Sequence, residues 1–334
     1  AGSCILSNAI ELTVSDSIFE NDNLETASGG VNVTSRSTLS VSNSQFIHCT
    51  AGNVEKSFGG GIGYCTSVND DSSRTESIKI ERNCIFDGNG GANGVAIGLK
   101  PVASFPQISD VTIKNHDLTN WIFFIFFYFE TDNQEFELNR ITFDRNSFDS
   151  GRYSEFGGGT GIWIAESEDV NYIQSFNLCF NDCVFSNNYS PENGGALSYG
   201  GSPRLESVEL TLNGCRFENN RCDQYYGGAC RFETSEPVSI IGCTFINNRA
   251  ESSTNPGVSG GGAIFFGSTV SAALIHDCIF DNCFAYRGSF IFTNGAMKNI
   301  SVSECTFQNL QVGQSTSVYI IVDQQVTQFT FDSN

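Results

Sequence analysis

The stretch that decides the fold is residues 210–220, Leu210-Thr-Leu212-Asn-Gly-Cys215-Arg-Phe217-Glu-Asn219-Asn220. Degenerate copies of this phrase return along the whole chain, each with a bulky apolar anchor residue at the place of Phe217. The anchors are Phe19, Phe46, Phe86, Leu118, Phe143, Phe185, Phe217, Phe245, Phe280, Phe307 and Phe331. Self-similarity of this kind is typical of a repeat architecture.

A second phrase follows the anchors after a loop of variable length: two Gly, a small residue and an apolar residue. Close copies are Gly194-Gly195-Ala196-Leu197, Gly227-Gly228-Ala229-Cys230 and Gly261-Gly262-Ala263-Ile264, with variants at Gly59, Gly158, Gly29 and Gly288. We interpret the Gly pair as a structural feature that relieves crowding where the chain bends into the next strand. A phosphate-binding role is not expected.

The spacing of the repeats favours a β-solenoid. Successive anchors lie 27, 40, 32, 25, 42, 32, 28, 35, 27 and 24 residues apart by subtraction. Leucine-rich and helical solenoids keep a tighter period and carry helical stripes, which this chain lacks. A parallel β-helix accepts such variation because insertions leave from its turns. We therefore predict an all-β chain, a parallel β-helix of about eleven irregular coils, forming a single domain over residues 1–334.

The repeated positions predict interior columns. The anchor Phe residues should stack along the inside of the helix. Cysteines two residues before the anchor should share that inward side and pack as small apolar groups. Asparagines two residues after it should form a ladder of amides at the turn. The cysteines are Cys84, Cys183, Cys215, Cys243, Cys278 and Cys305, and the asparagines are Asn187, Asn219, Asn247, Asn282 and Asn309.

Composition limits the partners. The formal net charge is −20, which disfavours nucleic acid and anionic lipid. No apolar run reaches the roughly 18 residues of a membrane span, so we expect no membrane insertion. Thirteen cysteines and sequons at Asn32, Asn188 and Asn299, which we treat as candidate N-glycosylation sites, predict an extracellular or cell-surface location.

The two phrases together resemble the repeat of the polymorphic outer membrane proteins. The match is sharp where Phe217-Glu218-Asn219-Asn220 and Phe245-Ile246-Asn247-Asn248 are each followed by Gly-Gly-Ala. The resemblance implies a pectin-lyase-like, right-handed parallel β-helix and a role in surface exposure or adhesion. Those bacterial proteins also carry a C-terminal translocator barrel, which this sequence lacks. Related repeats occur in predicted surface proteins of protists.

Catalytic signals are weak. Enzymes of this fold that cleave acidic polysaccharides need convergent carboxylates with a supporting base. The one adjacent Asp pair is Asp70-Asp71 in a polar segment, and His116-Asp117 and His276-Asp277 are explained as turn residues. We predict that the chain is not an enzyme and has no catalytic residues. The alternatives are a polysaccharide lyase or glycoside hydrolase, or a glycan-binding module.

Cysteine and histidine spacing gives no metal signature, so we expect neither a metal nor another cofactor. Cys222 and Cys230 flank a loop that contains two tyrosines, and a structural disulfide between them is preferred over a pair of metal ligands.

Residues 121–129, Trp-Ile-Phe-Phe-Ile-Phe-Phe-Tyr-Phe, are the least usual segment. As a strand, this segment would point one apolar set outward. A long loop covers that set, or it is a protein–protein interface, or it contacts lipid or glycan. The candidate interface residues are Trp121, Phe123, Phe124, Phe126, Phe127 and Phe129.

The chain starts inside a coil and finishes on a strand without a polar cap, which predicts a fragment of a longer chain or a unit that stacks on neighbours. We expect an extracellular structural or adhesive protein. Its partners would be other protein chains, assembled end to end or laterally, with glycans as a further option.

Overall fold

The computed structural model describes residues 5–24, 29–51, 59–65, 76–90, 96–100, 106–118, 123–127, 134–148, 162–166, 175–200, 207–252, 259–294, 297–310, 320–323 and 328–332. Within these ranges every helix or strand element is a β-strand. The strands pair in parallel with the corresponding strands of the neighbouring coils. The predicted all-β, parallel solenoid is therefore confirmed.

The first six coils contain short strands separated by turns. They are β1 (Ile5–Ser7), β2 (Glu11–Ser15), β3 (Ile18–Glu20), β4 (Asn23–Leu24); β5 (Val31–Val33), β6 (Thr38–Ser42), β7 (Gln45–Ile47), β8 (Thr50–Ala51); β9 (Ile62–Cys65), β10 (Ser77–Glu81), β11 (Cys84–Asp87); β12 (Ile97–Lys100), β13 (Gln107–Ser109), β14 (Val111–Lys114), β15 (Asp117–Leu118); β16 (Phe123–Phe127), β17 (Gln134–Asn139), β18 (Thr142–Asp144), β19 (Ser147–Phe148); and β20 (Ile162–Glu166), β21 (Ser175–Asn181), β22 (Val184–Ser186), β23 (Tyr189–Ser190).

The remaining coils continue the same order. They are β24 (Leu197–Gly200), β25 (Ser207–Asn213), β26 (Arg216–Glu218), β27 (Arg221–Cys222); β28 (Cys230–Glu233), β29 (Val238–Ile241), β30 (Thr244–Ile246), β31 (Arg249–Ala250); β32 (Ile264–Phe266), β33 (Ala272–His276), β34 (Ile279–Asp281), β35 (Phe284–Ala285); β36 (Ile291–Asn294), β37 (Asn299–Ser303), β38 (Thr306–Gln308); and β39 (Ile320–Asp323), β40 (Gln328–Asp332).

Three faces result from this order. The first face consists of two sheets, β1-β5-β9-β12-β16-β20 and β24-β28-β32-β36-β39. The second face is an eleven-stranded sheet from β2 to β40, with one strand per coil, and the third face is a ten-stranded sheet from β3 to β38. A row of two-residue strands, β15-β19-β23-β27-β31-β35, follows the third face. We call it the short-strand row.

The main hydrophobic core of the described residues runs from Val14 to Val302, and Cys222, Ala250 and Ala285 form a small separate cluster. Alternation along each strand points every second residue inward, and in-register parallel pairing repeats each inward position in the next coil. The anchor rings of the third face therefore stack face to face, for example Phe185 on Phe217 at 4.6 Å and Phe217 on Phe245 at 4.8 Å between centroids. The predicted Phe column is confirmed.

Two predicted anchors are wrong. Ile113 takes the anchor place in its coil, because it pairs with Phe86 on one side and Phe143 on the other. Leu118 lies five residues later, in the short-strand row. Phe331 pairs with Val302 in the second face and is half exposed. The pairing register with the neighbouring coil decides which residue takes the anchor position. The local sequence does not show that register.

The Gly-Gly phrase forms a tight bend, as predicted. Its first glycine has a left-handed backbone, with φ of 73° at Gly227 and 70° at Gly261. Its second glycine touches the backbone of the next coil. A Cβ on Gly228 would lie 2.1 Å from the carbonyl oxygen of Gly262 and 2.5 Å from the amide nitrogen of Arg249. The pair therefore allows neighbouring coils to approach closely.

We expect Gly228→Ala to lower the free energy of unfolding by about 3 kcal/mol, the upper end of overpacking costs, because backbone on the next coil cannot move aside. The matched control is Gly242→Ala. Gly242 has φ of 62°, but the nearest heavy atom to its Cβ would be 3.8 Å away. This control should lose only about 1 kcal/mol, for the left-handed backbone alone. Equal losses in urea unfolding would contradict the crowding argument.

Candidate functional site

A buried row of asparagines, which we call the inner ladder, holds the turn after the third face. Asn220 is representative: its Nδ2 donates to the Phe185 carbonyl at 2.9 Å and to Asn248 Oδ1 at 3.0 Å. Its backbone amide donates to the same Asn248 oxygen at 3.0 Å. Each asparagine side chain thus forms hydrogen bonds with backbone groups of the neighbouring coils. These bonds fix the conformation of the turn. The inner ladder comprises Asn89, Asn146, Asn188, Asn220 and Asn248.

A second row precedes the inner ladder by one residue and faces outward. All five asparagines of the predicted ladder have left-handed φ between 51° and 55°. Asn247 Nδ2 donates to Asn219 Oδ1 at 3.1 Å, and Asn282 Nδ2 donates to Asn247 Oδ1 at 2.6 Å. The predicted amide ladder is therefore present here. Sequence reasoning missed the buried row beside it, although the repeated Asn-Asn doublet was the available signal.

The short-strand row displays a column of large side chains next to these amides. Its inward residues are small and buried: Ser190, Cys222, Ala250 and Ala285. Its outward residues align coil by coil and are partly or fully exposed: Tyr189, Arg221, Arg249 and Phe284. Two guanidinium groups therefore stand side by side, with an aromatic ring at each end of the column.

Carboxylates that directly follow the short strands hold both guanidinium groups. Arg221 Nε donates to Asp223 Oδ1, and Arg249 Nη1 donates to Glu251 Oε1 at 3.1 Å. The hydroxyl of Tyr189 donates to the other oxygen of Asp223 at 2.9 Å. The hydrogen bond that Arg221 donates to Asp223 raises the pKa of Arg221. These exposed pairs add little stability, but they orient the side chains.

The amide row and the arginines border an open hollow of about 410 Å³, which we call the turn groove. It is lined by Asn219, Asn220, Arg221, Asn247, Arg249 and Asn282. Amide and guanidinium groups offer planar arrays of hydrogen-bond donors and acceptors. The turn groove is the candidate binding site of the described residues.

Two carboxylates away from the turn groove link neighbouring coils. Asp144 accepts hydrogen bonds from Ser186 and Asn187, both at 2.8 Å. Arg140 binds Asp110 through two nitrogens at 2.6 and 2.9 Å, and these bonds hold the pKa of Asp110 below its usual value. Within the described ranges no group of three or more His, Cys, Asp or Glu residues could hold a metal ion. Asp70 and Asp71 lie outside the described residues.

The cysteine column packs as predicted. Its thiols are buried, apart from the half-buried Cys305, and donate to carbonyls of the preceding coil, for example Cys215 Sγ to Phe180 at 3.3 Å. Burial raises the pKa of the Cys84 thiol, so it is a poor nucleophile. None of the eleven cysteines whose side chains are described forms a disulfide. The number of cysteines therefore does not by itself require an oxidising compartment.

The predicted Cys222–Cys230 disulfide is wrong, since both residues are free thiols. Cys222 packs against Ala250 and Ala285 under the short-strand row, whereas Cys230 belongs to the main core of the first face. Burial raises the pKa of both thiols. Inward packing on two different strands explains these cysteines without a bond between them.

His116 occupies an inner-ladder position in place of asparagine. It is almost fully buried, and its Nδ1 lies 3.1 Å from Asn146 Oδ1. Its Nε2 is buried without a hydrogen-bond partner. Burial lowers the pKa of His116 from 6.5 to about 4, so the imidazole is neutral in the folded chain near neutral pH.

This histidine should make the fold sensitive to acid. The folded-state pKa lies below the unfolded value, so between pH 6.5 and 4 the unfolded chain takes up a proton that the native chain resists. Stability is then lost as the pH falls through that window, by up to about 3 kcal/mol. Asn at position 116 would extend the inner ladder without an ionisable group, so His116→Asn should remove this loss.

The measurement is urea unfolding of both proteins from pH 8 to pH 4. The free-energy difference between variant and wild type should be constant above about pH 7 and should grow in favour of the variant below about pH 6.5. A difference that does not change with pH would show that His116 does not cause acid sensitivity.

The predicted aromatic interface is only partly within the described residues. Residues 123–127 form β16, which pairs with β12 and β20 inside the first face. Trp121 and Phe129 lie outside the described residues, as do the side-chain positions of Phe123, Phe124, Phe126 and Phe127. The choice between a covered surface and an interface stays open.

Later coils of the first face show one way to cover outward aromatic residues. Phe265 and Phe292 lie in the outward register of their strands and are nevertheless buried. The ring of Tyr226 stacks on Phe265 at 4.2 Å between centroids, and the Arg287 guanidinium lies 4.6 Å from the centre of the Phe292 ring. Residues of the turns therefore cover this part of the first face and bury its outward aromatic rings.

The three sequons have different surroundings. Asn299 is exposed at the start of β37, and Asn32 is half-buried in β5. Asn188 is buried, and its Nδ2 donates to the Phe143 carbonyl and to Asn220, both at 3.0 Å. A glycan on that nitrogen cannot be accommodated in this fold, so the prediction at Asn188 is wrong. Glycosylation of Asn32 and Asn299 stays a prediction.

Comparison with known proteins agrees with this architecture. No described helix is long and apolar enough to span a membrane. A search of curated proteins and a search of solved structures each gave no match. A family model described as "Right handed beta helix region" matches residues 127–334, more than half of the chain. The coils and parallel faces of this chain, together with this match, place it in the right-handed β-helix family.

Proposed function

We propose that this chain is a non-catalytic, extracellular surface protein, in which a β-helical scaffold presents ordered side chains to partners. The turn groove carries the proposal. It is a surface where hydrogen-bonding groups repeat in register over several coils, and the inner ladder fixes their positions. A rigid, repeating surface suits recognition of a partner that is itself repetitive.

The surroundings of the carboxylates support a non-catalytic role. General acid–base catalysis needs a carboxyl group that is free to exchange a proton with substrate. Asp223 and Glu251, which lie beside the turn groove, each accept a hydrogen bond from the arginine two residues earlier. Each of these carboxylates is therefore engaged by an arginine and is not free to meet a substrate.

The resemblance to polymorphic outer membrane protein repeats, the acidic charge and the exposed Asn299 sequon support a surface location. Assembly with other protein chains, through residues 121–129 or along the helix axis, is part of the same proposal.

The test combines location with turnover. Surface labelling of intact source cells should modify the protein, and the purified chain should release no reducing ends or unsaturated sugars from a panel of neutral and acidic polysaccharides. Light scattering over a range of concentrations should show a mass that rises with concentration if chains assemble. Turnover of any polysaccharide would replace the proposal with a carbohydrate-active enzyme on the same fold.

A further inference from the structure

A buried arginine on the outward side of the first face carries hydrogen-bond donors without partners. Arg231 lies on β28, and its side chain is only 9% exposed. Its Nη2 pairs with Glu233 Oε2 at 2.8 Å, but its Nε and Nη1 are buried and have no hydrogen-bond partner among the described residues. We propose that Arg231, together with Ser198, binds a small anion such as chloride. This site lies apart from the turn groove, and it does not depend on the proposed function.

Three other arginines show what sets Arg231 apart. Arg216, Arg221 and Arg249 also pair with a carboxylate two residues later. The side chains of these three are 46%, 52% and 41% exposed, so water reaches their remaining N–H groups. Arg231 makes the same kind of pair without that access. Buried polar groups without partners are rare in native proteins, and a bound water or ion is one of the explanations for them.

Residues of the neighbouring coils enclose Arg231. Ser198 pairs with it from the preceding coil, and Phe265 pairs with it from the following coil. All three residues are buried, although they lie on the outward side of the first face. The ring of Tyr226 stacks on Phe265 at 4.2 Å between centroids and covers this side. The guanidinium group therefore lies in surroundings of low polarity, where a positive charge needs a partner.

Glu233 neutralises only one end of this guanidinium group. The Glu233 side chain is 37% exposed, so water weakens its attraction for the arginine. It lies toward the following coil, since a Cβ on Gly267 would be 2.3 Å from the Glu233 Cγ. Ser198 lies on the opposite side, and its hydroxyl is also buried without a hydrogen-bond partner in the part of the chain that the structure describes.

The chemistry of the groups without partners favours an anion over water. The N–H groups of an arginine only donate hydrogen bonds, and a serine hydroxyl can donate as well. A water molecule that accepts these bonds brings two hydrogens that need acceptors of their own. Chloride only accepts hydrogen bonds, and its charge attracts the buried guanidinium. The net charge of −20 repels anions at long range, but salt screens this repulsion beyond about 8 Å at physiological ionic strength.

Exchange of chloride for a bulky anion tests the site in solution. Urea unfolding is followed in sodium chloride and in sodium gluconate at the same ionic strength, because gluconate is too large for an enclosed site. If the site is half filled at about 20 mM chloride, about 200 mM chloride should raise the equilibrium constant for folding about tenfold. Arg231→Gln should reduce this chloride effect to less than about twofold, and the milder Ser198→Ala should reduce it to about threefold.

Arg216 supplies the matched control. Arg216→Gln removes an arginine with the same carboxylate spacing from an exposed position, so this variant should keep the full chloride effect. A general effect of salt would act on all variants alike. The anion can also be located directly. Crystals soaked in sodium bromide should show an anomalous scattering peak beside Nε or Nη1 of Arg231 in the wild type, and no such peak in Arg231→Gln.

Three results would overturn the inference: equal stability in chloride and gluconate, equal chloride effects in the wild type and Arg231→Gln, or an ordered water in place of bromide beside Arg231. If Arg231→Gln does not fold, Ser198→Ala decides, and an undiminished chloride effect in that variant would also overturn it. None of these results bears on surface location or on the absence of turnover.

Discussion

Asn220→Ala is expected to lower the free energy of unfolding by about 4 kcal/mol, because the change leaves several buried groups without partners at roughly 1–3 kcal/mol each. The Phe185 carbonyl loses one donor, the backbone amide of Asn188 loses its acceptor, and the Asn188 side chain loses one bond. The site is fully buried, so water cannot replace these partners without opening the turn.

The control for Asn220 is the preceding residue. Asn219 is exposed and has φ of 55°, and its side chain joins the outer amide row. Asn219→Gly keeps the left-handed backbone and removes the amide, so it should cost less than about 1 kcal/mol. Urea unfolding followed by circular dichroism measures both variants. Similar losses for the two would contradict a special role of the buried ladder.

Phe217→Ala is the second change with a large expected effect, a loss of about 4 kcal/mol from the removed ring and the cavity that remains. Phe217 is completely buried, and rings lie against both of its faces at 4.6 and 4.8 Å. Its neighbours are anchored in their own coils, so they cannot move along the axis to fill the space.

The control for Phe217 is an apolar residue on the outer side of the same face. Ile279 is 42% exposed on β34, one residue before an anchor. Ile279→Ala should change the free energy of unfolding by less than about 1 kcal/mol, because little apolar area is removed from contact. Thermal and urea unfolding measure both changes. A loss below about 2 kcal/mol for Phe217→Ala would contradict a close-packed column.

The inner-ladder, anchor and glycine variants test neighbouring parts of one solenoid. In a repeat protein each coil contacts only the coils beside it, so a damaged coil weakens mainly its two interfaces. Asn220 also lines the turn groove, so damage to this coil affects the groove as well.

The sequence predicted those features that local chemistry dictates. Phe217 and its equivalents, the cysteines two residues earlier and the Gly pairs follow from what fits inside a narrow parallel coil. The anchor position was predicted wrongly in a coil where the repeated phrase departs from its usual residues. In the fourth coil, Val111 and Ile113 replace the usual Cys and Phe, and the anchor was therefore misplaced to Leu118.

The candidate site was less accessible to sequence reasoning. Tyr189, Arg221, Arg249 and Phe284 are separated by loops of different length, so no fixed spacing marks them as a set. Only pairing in the short-strand row brings them into one column. The sequon at Asn188 misled for the related reason that a three-residue motif carries no information about burial.

The sequence by itself determined that this chain forms a parallel solenoid, because each repeated phrase encodes the inward residues and bends of a single coil. The tertiary structure decided which coil positions meet. Contacts between residues roughly thirty positions apart set the register, buried one asparagine of each Asn-Asn pair and exposed the other, and kept Cys222 and Cys230 apart. The turn groove exists only in that register, because its side chains come from successive coils.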